Sequence, residues 1–212
     1  MPRVSTRATP PANSGKGNAL REGLAAAKGK YLGFIDADGD IPPTHVSEFL
    51  SVIRSRQPDI IVGSKRHPDS QVVYPPLRRF YSWGYQQLIR VLFRLSVRDT
   101  QTGLKLIRRQ VLAEVLPRMV EKRFAFDLEL LVVARHLGYR EVTEAPITIG
   151  ERFGSTISFR SVRNMLVDTL AIFYRLHFLH YYDIDPSTPG EPVQPSLSHT
   201  DQVDSMHPLN TA

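Results

Sequence analysis

The apolar positions of this 212-residue chain change period several times along its length. In NSGKGNALREGLAAAKGK (13–30), Ala19, Leu20, Leu24 and Ala27 recur at helical spacing, so a helix is predicted there, stopped at Gly29. Tyr31–Ile35 is a short unbroken apolar and aromatic run, the pattern of a buried strand. Helical spacing returns in PPTHVSEFLSVIRSR (42–56) through Val46, Phe49, Leu50 and Ile53, and DIIVGSK (59–65) reads as a second buried strand ending in a glycine and a base. Helix, strand, helix and strand with short connections predict a Rossmann-like doubly wound α/β sheet. Ligands of such sheets lie beyond the carboxyl ends of the strands, which here are residues 36–40 and 63–66.

Further along, residues 77–96 read as a helix with large apolar side chains and arginines at 78, 79, 90 and 94. That pattern fits a buried helix with a charged outer face and a helix lying in a membrane interface equally well. FAFDLELLVVARHLG (124–138) is a helix ending at Gly138, and REVTEAPITIGERFGSTISF (140–159) supplies one or two strands and a basic turn. Residues 158–183 form a long amphipathic helix, which Arg160, Arg163, Asp168 and Arg175 suit to lying on a bilayer rather than crossing it. The predicted organisation is an irregular start (1–12), a core (13–157), a membrane-surface helix (158–183) and a disordered Pro-, Ser- and Thr-rich tail (184–212).

Charge narrows the class of partner. A net charge of +6 and a pI near 9.7 point to anions: phosphates, nucleic acid or a lipid surface. No nucleic-acid-binding signature is present, and the bases interleave with apolar helix faces, so no nucleic-acid partner is expected. The absence of cysteine excludes disulfides, thiolate metal sites and thiol nucleophiles.

The candidate chemistry centres on YLGFIDADGDIPP (31–43), where Asp36, Asp38 and Asp40 occupy alternate positions. Hard oxygen ligands brought together in this way favour a divalent cation. A calcium-binding EF-hand loop needs Gly at the sixth place and Glu at the twelfth; counted from Asp36 these are Ile41 and Ser47, and the row follows a strand rather than a helix. A polar turn capping the next helix, with Asp40 ahead of Pro42 and Pro43, would use one carboxylate and leave the others unexplained. Gly15-Lys16-Gly17 lacks the earlier glycine and the following Ser or Thr of a P-loop.

Several motifs occur in order: an Asn-x-Gly-Lys-Gly helix start, a strand ending in Asp-Ala-Asp, VGSKR (62–66), Arg78 followed four residues later by Ser82, RDTQTGLKLIRR (98–109), FAFDLELL (124–131) and PITIGER (146–152). As an ordered set they resemble family 2 glycosyltransferases of the GT-A fold, and more narrowly the dolichyl- or polyprenyl-phosphate sugar synthases such as dolichyl-phosphate mannose synthase. The resemblance implies a peripheral enzyme at the cytoplasmic face of a membrane. It would pass a hexose from GDP-mannose or UDP-glucose to a polyprenyl phosphate, with inversion and with Mg²⁺ or Mn²⁺. By similarity Asp36, Ala37 and Asp38 form the Asp-x-Asp element, with Asp38 toward metal and diphosphate and Asp36 toward the sugar or ribose. Asp40 would be a second metal ligand. Lys65, Arg78 and Ser82 would hold the acceptor phosphate, and Arg152 the donor diphosphate. Asp99 and Gly103 would either form a structural turn holding the acceptor loop or act directly in catalysis, and Asp127 and Glu129 would be buried supports.

The chain departs from the family pattern in two places. About 70–80 residues of the nucleotide-binding half, roughly two βα units, are expected before Asn13 and do not appear, which would leave a sheet edge uncovered. No lysine follows Arg152 in RFGSTISFR (152–160), where relatives often carry one. A catalytically inactive relative that binds a membrane or a partner is the competing expectation.

Overall fold

The computed structural model describes residues 15–72, 76–122, 125–149 and 159–184, with side chains except those of 72, 76–80 and 159–161. The expected irregular start, the basic turn holding Arg152, and the tail beyond Ile184 lie outside these residues.

Four strands form the main sheet: β1 (Tyr31–Ile35), β2 (Ile60–Ser64), β4 (Leu104–Arg108) and β5 (Val142–Pro146), in the order β1-β4-β2-β5. The two-residue strands β3 (Gln71–Val72) and β6 (Thr148–Ile149) pair in parallel beside it. β2 and β5 are parallel, whereas β4 runs antiparallel to both β1 and β2, with Tyr31 opposite Arg108 and Ile60 opposite Ile107. The sheet is therefore mixed: a strand not expected from the hydrophobic pattern separates the two that were.

Helices α1 (Lys16–Ala26), α2 (His45–Arg56), α3 (Pro76–Phe93), α4 (Arg109–Val115), α5 (Phe126–His136) and α6 (Phe159–His177) cover the sheet. Alternation along β2 divides the core. Ile60 and Val62 face one layer with Leu24 of α1, Leu112 of α4, Leu128 of α5 and Ile172 of α6; Ile61 faces the other with Phe49 and Ile53 of α2. Because both faces are covered, β2 is buried throughout and carries no polar side chain before Ser64, as its sequence indicated. Residues 126–134 of α5 are all buried, Asp127 and Glu129 among them.

α2 begins at His45 and has no side-chain cap; the His45 and Val46 amides donate to the carbonyls of Pro42 and Pro43. The prolines, not Asp40, thus start the helix. α3 and α6 pack together through Phe93 and Phe173, whose rings lie 6.1 Å apart, and through the 2.8 Å contact of Tyr85 with the Thr169 hydroxyl. Burial pushes the Tyr85 phenol up to about 12. The end of the chain's described part folds back: Tyr182 is fully buried and donates to Glu129 (2.7 Å), while Arg175 donates to Glu121 (2.7 Å).

Candidate active site

The site grows from the carboxyl end of β1. The Asp36 N–H donates to the Gly103 carbonyl (2.8 Å), which extends the β1–β4 ladder by one residue and fixes where the acidic turn leaves the sheet. Gly39 takes positive φ (76°), and the Asp40 N–H donates to Asp38 Oδ1 (3.1 Å), so the turn is closed by its own carboxylate. Asp38 is exposed with Ala37 beside it, and Asp40 is half-buried.

Asp36 is held differently. Lys16 Nζ lies 2.7 Å from its Oδ1 and 3.0 Å from its Oδ2. Lys16 opens α1 immediately after Gly15, whose φ is 94°. Gly17 seats that helix start: its N–H donates to the Lys122 carbonyl (3.0 Å), and a Cβ there would come within 2.8 Å of the Lys122 carbonyl carbon. Burial lowers the Lys16 ammonium, but Asp127, then Asp36 and Asp38, outweigh it and leave the pKa raised above the ordinary lysine value. On the opposite side Gly103 leaves room for the Asp36 carboxylate, since a Cβ at 103 would stand 2.1 Å from Oδ2.

The second strand end contributes base. The Lys65 amide donates to Asp99 Oδ2 (3.2 Å) and the Gln101 amide to Asp99 Oδ1 (3.2 Å), so Asp99 ties the 99–103 loop to the end of β2. The turn-holding reading of Asp99 and Gly103 matches this geometry. Arg66 donates to the Ser82 hydroxyl (2.9 Å), bringing α3 to the same strand end. Arg78 lies on α3 one turn before Ser82; its side chain and all of Arg152 fall outside the described residues. Thr100 and Thr102 carry buried hydroxyls without a hydrogen-bond partner inside this loop.

The sequence reading assigned no role to two of these cations, Lys16 and Arg66. Asp127 does support the site, through Lys16 (3.7 Å) and the buried Lys105 (2.6 Å). Glu129 supports something else: its Oε2 accepts from the amides of Val120 (2.9 Å) and Glu121 (2.7 Å), and its Oε1 from Tyr182. Burial raises its pKa.

Among the described residues no three His, Asp or Glu side chains converge as a complete metal cage. Asp38 and Asp40 offer two carboxylates, and Lys16 occupies the third. Two carboxylates suit an octahedral cation such as Mg²⁺ or Mn²⁺ that takes its remaining oxygens from phosphate and water.

Carboxylates follow β1 and cations follow β2, two parallel strands with β4 between them, in an α/β protein. The chain belongs to the family whose model is described as "Glycosyl transferase family 2", which matches residues 8–116. A dolichyl-phosphate beta-glucosyltransferase of Trichomonas vaginalis is 31% identical over 173 residues, covering 78% of this chain and 51% of that protein. The proteins of that description from Saccharomyces cerevisiae (26% identical, 80% and 54% covered) and Mus musculus (31% identical, 79% and 53%) are similar to it as well. The chain thus spans about half the length of these relatives. Among solved structures, glucosyl-3-phosphoglycerate synthase from Mycobacterium tuberculosis superposes with a TM-score of 0.55 in its UDP complex, at 16% identity over 80% of this chain and 56% of that one. Its complex with Mn²⁺, UDP-glucose and phosphoglyceric acid gives a TM-score of 0.57 at the same identity. The fold is the GT-A fold.

Proposed function

We propose that this chain carries the metal- and acceptor-binding part of a transferase that moves glucose from UDP-glucose to a polyprenyl phosphate of the dolichyl type, with inversion. The observation that carries the reading is that two strands separated only by β4 end on the same side of the sheet, with Asp36, Asp38 and Asp40 after β1 and Lys65, Arg66 and Ser82 around the end of β2. The relatives' names favour glucose and dolichyl phosphate; nothing supports mannose.

In this reading Asp38 and Asp40 hold a divalent cation, which when bound offsets the charge that develops on the departing nucleoside diphosphate. Asp36, pinned by Lys16, faces the sugar or ribose. Lys65 and Arg78 orient the acceptor phosphate, with Ser82 beside it, and Arg152 pairs with the donor diphosphate. The acceptor is already an anion at neutral pH, so the site needs positioning rather than a strong base.

A membrane surface is the source of such an acceptor. No described helix is long and apolar enough to cross a bilayer. Instead α3 exposes Tyr81, Trp83 and Val91, and the α6 region exposes Val167, Leu170, Tyr174 and Phe178. Aromatic and aliphatic side chains on a basic chain suit an interface. The same helix, α3, carries Arg78 and Ser82, so a lipid seated on it would present its phosphate toward the site. Placement on the cytoplasmic face rests on the family resemblance alone.

The test is transfer of labelled glucose from UDP-glucose to polyprenyl phosphate in vesicles, by this chain and by any longer form isolated from its native cells. Asp38→Ala is expected to abolish transfer with the fold intact; retained transfer overturns the assignment. Vesicle binding without UDP-glucose binding in every form would assign a membrane- or partner-binding role instead.

A further inference from the structure

We propose that Asp127 is a positioning residue for Asp36, acting through Lys16 and anchored in turn by Lys105. The inference rests on the reading of Asp36 as a donor-side carboxylate.

The four groups form an alternating row of charge from the core to the site. Lys105 on β4 has no exposed surface; its Nζ donates to Asp127 Oδ1 (2.6 Å) and to the Thr102 carbonyl (2.7 Å). Asp127, also buried, turns its Oδ2 toward Lys16 Nζ (3.7 Å), and Lys16 covers both oxygens of Asp36. A partly exposed lysine on a single carboxylate is a weak tether, because solvent and side-chain entropy compete with it. A second carboxylate fixed inside the protein restricts where the ammonium can stand. Lys105 also governs the other hold on Asp36: the Thr102 carbonyl it binds belongs to the residue before Gly103, whose own carbonyl receives the Asp36 amide. Both restraints on the aspartate therefore lead back to one buried ammonium.

Stability alone does not account for such a pair. A buried ion pair replaced by apolar groups of similar volume is often neutral or stabilising. A geometric task on Asp36 explains why charge reaches this far into α5.

The experiment uses the full chain in three forms: Lys105→Met/Asp127→Leu, Lys16→Met, and the three substitutions together, with Asp127→Asn as a further variant where the first does not fold. The readouts are the ¹³C resonance of the Asp36 carboxyl, the titration of Lys16 followed at its Cε, and the affinity for UDP-glucose with Mn²⁺. Lys16→Met is expected to shift the Asp36 resonance and to weaken UDP-glucose about tenfold, and Lys105→Met/Asp127→Leu to do the same with Lys16 titrating lower than in the parent. The triple variant is expected to lose about tenfold again in total, not about a hundredfold, because the residues act in series. Unchanged Asp36 and Lys16 resonances in folded Lys105→Met/Asp127→Leu overturn the proposal, as do additive losses. Should no form bind UDP-glucose, the resonances still decide the positioning, and the failure belongs to the functional reading.

Discussion

Replacing Gly103 by alanine tests the site with one methyl group. The new Cβ would stand 2.1 Å from Asp36 Oδ2, 2.3 Å from Cγ and 2.7 Å from Cβ, where ordinary contact begins at 3.4 Å. The carboxylate must retreat by more than 1 Å, which its 28% exposed side chain allows, but the Asp36 Cβ cannot swing, so the paired backbones at 36 and 103 must also part by a few tenths of an ångström. Loss of the part-exposed Lys16 contact costs little, about 0–1 kcal/mol. Residual crowding brings the expected destabilisation to about 1–3 kcal/mol, short of unfolding. Function should suffer more: a displacement of about 1 Å at a reacting centre is worth about a hundredfold in rate. Urea denaturation gives the first quantity and glucose transfer to polyprenyl phosphate the second. Transfer at the parent rate by a folded Gly103→Ala chain would refute the claim that the position of Asp36 matters.

Other changes have equally defined outcomes. Gly17→Ala meets backbone at Lys122, which cannot swing away, so α1 should lose its seat at a cost of about 1–3 kcal/mol, seen in urea melts and as faster exchange of the Gly17 amide. Phe49→Ala empties the layer between α2 and the sheet and should cost about 3–5 kcal/mol by the same melts. Glu129 has its pKa raised by burial, so its contribution to stability is full below the ordinary glutamate value of 4.5 and is lost as pH rises through the folded value. Thermal melts from acid to neutral pH should record that loss, and Glu129→Gln should remove it. Trp83→Ser combined with Phe178→Ser, both on exposed positions, should weaken binding to anionic vesicles in a sedimentation assay while the chain keeps the circular dichroism of the folded parent.

The elements with a clean period could be read in advance: α1, α2, β1, β2, α5 and α6 stand close to where their apolar spacing put them. β4 could not. LKLIR places Lys105 on a buried face, a pattern that argues against a core strand until its partner is known, and that partner, Asp127, lies 22 residues further on. The Asp row was plain, but the cation that pins Asp36 was not. Lys16 and Asp36 are 20 residues apart, and they meet because a helix and the strand after it are matched in length. Eleven residues of α1 rise about 16 Å and five residues of β1 return about the same distance. Arg66 lay inside a quoted motif, yet its contact with Ser82 depends on how α3 crosses the end of β2, which local patterning does not encode.

One side of β1 has no strand partner among the described residues, since the sheet order begins with it. Its five residues, YLGFI, contain no proline and no charge, the composition that invites pairing with a like segment. Charges stand only at its borders, Lys30 and Asp36. Two copies meeting along this edge would join their four-stranded sheets into one of eight, a self-association that grows with concentration. The strand that aims Asp36 would then also be the strand through which copies associate, and dilution would oppose that pairing more readily than salt.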